Sequence, residues 1–569
     1  MPKNEEKKDK PATNKPATKT TVKNAAIAKK ATVKEAVERI KKTTAKTNAA
    51  KAPAKLASKT ISKANVAKAA PASKKEPVKK SVITPALPKT KDPSVQLKIL
   101  FVAPECTPFA TSGGLGEVIG SLPQALNANG CDARVILPLY ECFPDKFKDK
   151  LKFITHFNVG LSWRNQYCGV HILELNGVTY YFIDNEYYFK RGSLYGHTDE
   201  AERFAFFSRA ILDVLPYIEF IPDVIHSHDW QTALVPIYYK LYYMNRPEYI
   251  DIKTVFTIHN IEYQGKFDYS IMEDVLGISK EEYPSIEYGG GINLMKGAID
   301  YSDYISTVSP TYAEELQYSF FAHGLENIVI KNFDKMRGIL NGINLISWNP
   351  ATDKALFSTY TEKDLTGKTI NKAELQSMLS LPVSSKTPVI AIITRLVKHK
   401  GVDLVKSVLD ELLKQDVQVV VLGTGDKEYE NFFEFLTDVY RDKFHAVIDF
   451  NIDLAHKIYA GADMFLMPSK SEPCGLSQMI ATRYGTVPIV RSTGGLKDSI
   501  PDCGNGDEGL GFVFDNYDPW HMLHALERAI GLFKDYPDKW EGLVKRTLNA
   551  DFSWDISAKK YIEMYKGLF

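Results

Sequence analysis

The chain has 569 residues with 71 Lys+Arg against 69 Asp+Glu, and its formal net charge of +2 hides two opposite parts. Residues 1–97 hold 25 basic and 7 acidic side chains and no Phe, Trp or Tyr, a net of +18, which leaves 46 basic and 62 acidic residues in 98–569, a net of −16. The first part, rich in Lys, Ala, Pro and Thr, has too little apolar surface for a core and is expected to be disordered, whereas the second is long enough for about two ordinary domains.

In the basic part the only helical signal is a weak one at 33–40. Its lysines, spaced by Ala, Pro and Thr (Lys15, Lys19, Lys51, Lys55, Lys74, Lys75, Lys79, Lys80), resemble the tails of linker histones. Such a segment neutralises phosphates without reading bases, because it has no aromatics to stack and few arginines to fork onto guanine. Polyanion binding therefore stands beside the plainer reading of a solvated, self-repelling tail.

Residues 97–103 (LKILFVA) read as a buried opening strand that Pro104-Glu105 ends. The sequence Thr111-Ser-Gly-Gly-Leu-Gly-Glu-Val118 then gives a glycine turn and a helix to Asn129-Gly130, followed by a strand at 133–137. Gly113 and Gly114 let backbone approach a ligand where a side chain would collide. Two alternating runs, 170–175 and 178–183, flank Asn176-Gly177 and predict a hairpin. Asp199 precedes an apolar run and reads as a helix cap. Residues 222–231 form a strand running into a polar cluster with His226, His228, Asp229 and Gln231. Two histidines at i and i+2 invite a metal reading, but no third ligand has a convincing spacing. Residues 254–265 repeat the pattern with His259, Asn260, Tyr263 and Gln264, and each histidine alone also fits a satisfied core position. A strand and Pro-started helix follow at 303–313. Residues 338–343, including Asn341, close this half, and Trp348-Asn-Pro350 reads as a linker.

The second half opens with a continuous apolar strand, 388–396, ending in Arg395. Arg395 and Lys400 sit at a strand end and the next helix start, where both reach a diphosphate, Arg as a fork and Lys as a point charge. The strand 417–422 runs into Gly423-Thr-Gly425, and Asp449-Phe450-Asn451 precedes another helix. Residues 463–498 organise the chain: a buried strand at 464–467, a Pro-Ser turn, a helix expected over Glu472 to Tyr484, a strand at 487–490 and a turn at Thr493-Gly494-Gly495. Two consecutive strand–turn–helix units place a carboxylate and several amides at the carboxyl ends of parallel strands, a candidate phosphoryl-sugar site. The alternative is a buried unit in which Glu472 caps a helix and the glycines only turn.

Glu472-Pro-Cys-Gly-Leu with Gln478, Tyr484-Gly-Thr-Val-Pro-Ile-Val-Arg491 and Thr493-Gly-Gly-Leu496 resembles the bacterial glycogen synthase and plant starch synthase family. The resemblance covers 97–569 and implies an α/β fold of two Rossmann-like, doubly wound domains facing a cleft (GT-B type), with the basic tail in front. It places the tail at 1–96, the acceptor-side domain at 97–342, the nucleotide-sugar domain at 343–552 and a helix crossing back to the first domain at 553–569. The implied activity is retaining transfer of glucose from ADP-glucose to the free 4-hydroxyl of an α-1,4-glucan. Arg395 and Lys400 would neutralise the departing diphosphate, helped by amides near 493–496, while Glu472 holds the glucose hydroxyls and stabilises its cationic ring. Asp199 and His228 would line the sugar side.

On the donor side the resemblance implies Thr111, Gly113, Gly114, Asn341, Phe450 (stacked on the base), Cys474, Gly475, Leu476, Thr493, Gly494 and Gly495. On the acceptor side it implies Asp229, His259, Asn260, Tyr263 and Gln264. The chain departs from the family at Thr111, where the motif has Lys, at Glu117 and Asn344, where Asp is usual, and at Gln231, where some members have His. Loss of the lysine charge weakens donor binding. The same fold with UDP-glucose, and a glucan-binding scaffold without turnover, are the alternatives. No metal or cofactor is implied.

Six cysteines, at 106, 131, 142, 168, 474 and 503, show neither a Cys-x-x-Cys spacing nor a dense disulfide pattern. A reducing cytoplasm is expected. No run of eighteen apolar residues spans a membrane, and the amino terminus lacks the apolar core of a secretion signal.

Overall fold

The computed structural model describes residues 96–569. The expected disorder of the tail, its weak helical signal and its polyanion reading lie outside the described residues.

The first half is built on strands β1 (Lys98–Val102), β2 (Asp132–Pro138), β3 (Lys152–Leu161), β4 (Arg164–Leu175), β5 (Val178–Asp184), β6 (Val224–His228), β7 (Lys253–Ile258), the short β8 (Lys266–Phe267), β9 (Glu287–Tyr288) and β10 (Gly291–Asn293), then β11 (Tyr304–Thr307) and β12 (Met336–Gly338). Nine of them form one sheet in the order β12-β11-β7-β6-β1-β2-β5-β4-β3, and β8, β10 and β9 form a small separate one. From β12 to β5 the pairing is parallel, while β4 and β3 close the edge as antiparallel strands. Ile99, Leu100, Phe101 and Val102 are all fully buried, as a strand covered on both faces requires. Helices α1 (Gly114–Ala128), α2 (Glu200–Val214) and α3 (Pro310–Glu315) position this half of the cleft.

The second half carries a six-stranded sheet of β13 (Val389–Ile393), β14 (Gln418–Leu422), β15 (Phe444–Val447), β16 (Met464–Met467), β17 (Val487–Arg491) and β18 (Phe512–Phe514). Its order is β15-β14-β13-β16-β17-β18, parallel throughout. Around it lie α4 (Thr366–Met378), α5 (Val402–Leu412), α6 (Ile452–Gly461), α7 (Ser477–Arg483) and α8 (Gly494–Ser499). Lys368 on α4 is buried, and its ammonium donates to the carbonyls of Ala460 at 3.2 Å, Ala462 at 3.1 Å and Tyr484 at 3.0 Å and to Thr486 Oγ1 at 2.9 Å. Burial lowers its pKa to about 7.

In both sheets the strand order reverses about the first strand: β1 lies between β2 and β6, and β13 between β14 and β16. Those are the switch points where open α/β sheets hold ligands. The last helix, α9 (Trp554–Lys566), packs back on the first half. Its Trp554, Ala558, Tyr561 and Tyr565 share a core with Ile99, Phe101 and Val118, and Asp555 accepts from Asn129 Nδ2 at 2.8 Å.

A second contact joins the halves directly. Thr311 on α3 donates its amide and hydroxyl to Asp498 on α8 at 2.8 and 2.6 Å. Glu315 accepts from Thr493 Oγ1 at 2.7 Å and Gly494 N at 3.1 Å, and Ser309 Oγ donates to the Pro473 carbonyl at 2.6 Å.

The hairpin expected at Asn176-Gly177 forms with φ of 51° and 75°, the paired positive angles of a type I′ turn. One expectation needs correction, and one strand was not foreseen. The helix expected over Glu472 to Tyr484 is only Ser477–Arg483; Glu472 to Leu476 is a loop, with Gly475 at φ 71°. The strand β3, absent from the sequence reading, doubles the hairpin at the sheet edge, and a register shift between Phe153 and Thr155 limits its alternation to 155–161.

Candidate active site

A cavity of about 1020 Å³ lies between the two halves at the carboxyl ends of their strands. Residues that follow β1, β6, β7, β13 and β16 line it, among them Glu105, Asp229, His259, Arg395 and Glu472. The topology therefore explains why residues so far apart in sequence converge.

On the second half, the loop after β16 carries Glu472. That residue is 6% exposed, and its carboxylate accepts from Lys400 Nζ at 3.0 and 2.7 Å and from Ser469 Oγ at 2.8 Å. A cation and a hydroxyl thus orient the acid. Arg395 also lines the cavity and is solvent-exposed there, so two cations from the β13–α5 connection face one space. Cys474, Gly475 and Leu476 line it beside them. Burial raises the Cys474 thiol to about 12, so it is neutral at physiological pH.

On the first half, Gly113 and Gly114 border the cavity, and a Cβ added at either meets nothing within 4 Å. Asp229 follows β6 with φ 57° and ψ 176°, a conformation that costs a non-glycine residue about 1–3 kcal/mol and recurs at functional sites. Its Oδ1 accepts from the His259 amide at 2.7 Å. Burial pushes its pKa up to about 7, against the opposing pull of the His259 and Asn260 amides. Asn260, Tyr263 and Asn341 also line the cavity. Behind them His228 Nδ1 lies 3.0 Å from His259 Nε2, and the His228 ring stacks on Phe101 with centroids 5.4 Å apart. Burial lowers His259 to about 3 and drives His226 and His228 well below the usual range. All three are neutral imidazoles at physiological pH. Among the described residues no group of three or more His, Cys, Asp or Glu is arranged to hold a metal ion.

Several sequence-predicted residues lie elsewhere. The Thr493-Gly494-Gly495 turn is outside the lining, and its amides are occupied: Thr493 N donates to Arg491 O, Gly494 N to Glu315, and Gly495 N to Glu472 O at 3.1 Å. A Cβ on Gly494 would lie 2.0 Å from Glu472 O and one on Gly495 2.2 Å from Cys474 O. These glycines let the helix seat against the loop that carries the acid, and the amides expected to meet phosphate are spent inside the protein.

Phe450 is 82% exposed and does not border the cavity. Asp199 occupies the N-cap position of α2 without capping it. It forms a two-pronged pair with Arg191 at 2.6 and 2.7 Å; burial opposes ionisation, but that fork holds the carboxyl below the usual range. His228 stands one layer behind the cavity wall. Gln264 is buried, donating to Ile261 O at 3.0 Å and accepting from Asn293 at 2.8 Å. Thr111 is exposed, its hydroxyl 3.3 Å from Gly113 O.

Sequence motifs did not single out Glu105, whose carboxylate faces the cavity, or Glu315 and Asp498, which tie the halves together. A charged residue just past a buried strand at the switch point was the available signal for Glu105.

The family model described as the starch synthase catalytic domain matches residues 98–331, and that for glycosyl transferases group 1 matches 377–535. A glycogen synthase of Bacillus cereus (strain B4264) is 48% identical over 475 residues, 83% of this chain and 100% of that protein. The chain belongs to the glycogen and starch synthase family. A glycogen synthase of Clostridium botulinum (strain Alaska E43 / Type E3) is also 48% identical, over 83% of this chain and 99% of its own. Among solved structures, the catalytic domain of starch synthase IV from Arabidopsis thaliana, bound to ADP and acarbose, superposes with a TM-score of 0.77 at 36% identity, covering 83% of this chain and 99% of its own. Sucrose-phosphate synthase from Thermosynechococcus elongatus, at TM-score 0.54 and 17% identity, shares the fold. Members of the glycogen and starch synthase family are glycosyltransferases of the GT-B fold, and this chain is a glycogen-synthase-like transferase that acts on a glucan with a nucleotide-sugar donor.

Proposed function

We propose that the donor is ADP-glucose and that glucose passes, with retention of configuration, to the non-reducing 4-hydroxyl of an α-1,4-glucan. The observation that carries this reading is the Lys400–Glu472 pair at 2.7 Å, set beside Arg395 and across the cavity from Gly113 and Gly114. The cations meet the charge that builds on the departing diphosphate, where preorganised charge lowers a barrier most. Glu472, oriented by Lys400, holds sugar hydroxyls and opposes the positive charge of the ring without becoming a covalent nucleophile. Asp229, His259, Asn260 and Tyr263 present hydrogen-bonding groups and an exposed ring to the acceptor. The ADP bound by the Arabidopsis relative favours adenine over uracil. The same cavity with UDP-glucose is the second reading, and Phe450, turned to solvent, does not favour either base.

The test uses glycogen primer and labelled donor, with the new linkage identified by digestion with an α-1,4-specific glucosidase. Wild type should yield label released by that enzyme, and Glu472→Ala should lose at least about 100-fold in kcat. Label resistant to the α-specific enzyme would overturn retention, and a fully active Glu472→Ala would remove the acid from its role.

A further inference from the structure

Glu105 lies three residues beyond the end of β1, 5% exposed, with its carboxylate on the cavity wall. Three donors converge on it. Oε2 accepts from Ser112 N at 2.5 Å, and Oε1 accepts from Ser112 Oγ at 2.7 Å and from Tyr195 OH at 2.7 Å. Ser112 immediately precedes Gly113 and Gly114, the backbone that borders the cavity with nothing packed against it. The α1 helix that follows has no side-chain cap. The Glu105 carboxylate therefore anchors that turn through Ser112.

Tyr195 belongs to a different wall. It stands on the segment before α2, where Glu200 Oε1 accepts from Gly196 N at 2.8 Å and from Arg203 Nη1 at 3.3 Å. Arg203, wholly buried, in turn donates to Tyr188 O at 2.8 Å and Leu194 O at 3.2 Å. The segment is thus held rigidly from within, and the Tyr195 hydroxyl is its link to the glycine turn.

We propose that Glu105 is a positioning residue for the donor sugar: it fixes the Ser112-Gly113-Gly114 backbone against the Tyr195 segment, and so sets the surface on which the transferred group rests. Glu105 does this through Ser112 and takes no part in bond making. The inference rests on reading the cavity as the donor site. The two carboxylate oxygens accept all three bonds. A carboxamide keeps the same shape, because the two hydroxyls can turn to accept from its N–H groups, but loses the charge. A methyl group loses everything.

The test measures donor and acceptor KM, kcat and calorimetric donor affinity for wild type, Glu105→Ala, Glu105→Gln, Ser112→Ala, Tyr195→Phe and the Glu105→Ala/Ser112→Ala pair. Glu105→Ala should raise donor KM by about tenfold with acceptor KM within about twofold, and Glu105→Gln should recover most of the loss. The double variant should be no worse than Glu105→Ala, since both substitutions cut the same tie. Donor KM unchanged in Glu105→Ala, equal losses for donor and acceptor, or additive effects would overturn the proposal. If Glu105→Ala does not fold, Ser112→Ala and Tyr195→Phe decide it: neither raising donor KM overturns it. A wild type that binds no ADP-glucose defeats the donor reading itself, whereas donor binding undiminished in every variant defeats only the role of Glu105.

Discussion

Asp229 shows how the cavity tunes a single group. Burial lifts its pKa to about 7, against about 3.9 in an unfolded chain. Between those values the native state keeps a proton that the unfolded state has released, so the native state binds more protons and stability falls as pH rises through the window. Asp229→Asn keeps an Oδ1 for the His259 amide and cannot titrate. Urea unfolding at pH 5 and pH 8 should show wild type losing on the order of 2 kcal/mol more than the variant over that interval. Equal losses would mean that the carboxyl titrates normally. In the proposed acceptor-side role Asp229 meets the sugar ionised above neutrality and protonated below it, so acceptor binding should change in the same window. The histidines behind it contribute no charge, because burial holds all three neutral.

At the scale of elements, α8 is a buttress for the loop that carries Glu472. Its opening glycines lie against the backbone of Glu472 and Cys474, and Glu315 and Asp498 clamp it to α3 of the other half. Gly495→Ala would bring a Cβ within 2.2 Å of Cys474 O and 2.4 Å of Cys474 Cα. The backbone cannot yield there without moving the acid, so the variant should lose about 1–3 kcal/mol of stability and most of its transfer activity. Thermal melting with activity on the same sample checks both; full activity with an unchanged melt would show that the loop is not seated on α8. The sequence announced this turn by its glycines but not their purpose, since Gly-Gly is the same pattern whether it meets a phosphate or a neighbouring chain. Strand β3 was hidden for a different reason. It is an edge strand whose outward face carries Phe153, His156 and Asn158, and a register shift between Phe153 and Thr155 confines its alternation to 155–161. The central strands were legible because burial on both faces demands continuous apolar runs.

At the scale of the whole molecule, the two sheets present their switch points to one cavity, and that convergence sets the charged residues of one half facing the glycines of the other. Strand–turn–helix spacing and family motifs foretold Arg395, Lys400, Glu472, Gly113 and Gly114, all of which border it. Contacts that depend on the packing of the halves, such as Thr311–Asp498 and Glu315–Gly494, leave no local pattern and could not be read. The same holds for Phe450 and Asp199, whose surroundings turn one to solvent and the other to Arg191. Thr111 is the clearest departure in a donor-side motif. It is exposed beside the glycine turn, so a longer cationic side chain has room there.

In the proposed reaction this cavity transfers glucose from ADP-glucose under the charge of Arg395 and Lys400. The most direct measurement is labelled-glucan formation from ADP-glucose and from UDP-glucose, each as sole donor with glycogen primer, for wild type and Thr111→Lys. The account predicts transfer from ADP-glucose at a kcat/KM at least about tenfold above that from UDP-glucose. It also predicts a lower donor KM in Thr111→Lys, as one added charge near a diphosphate requires. Transfer from UDP-glucose alone, or from neither donor even with the lysine restored, would contradict it.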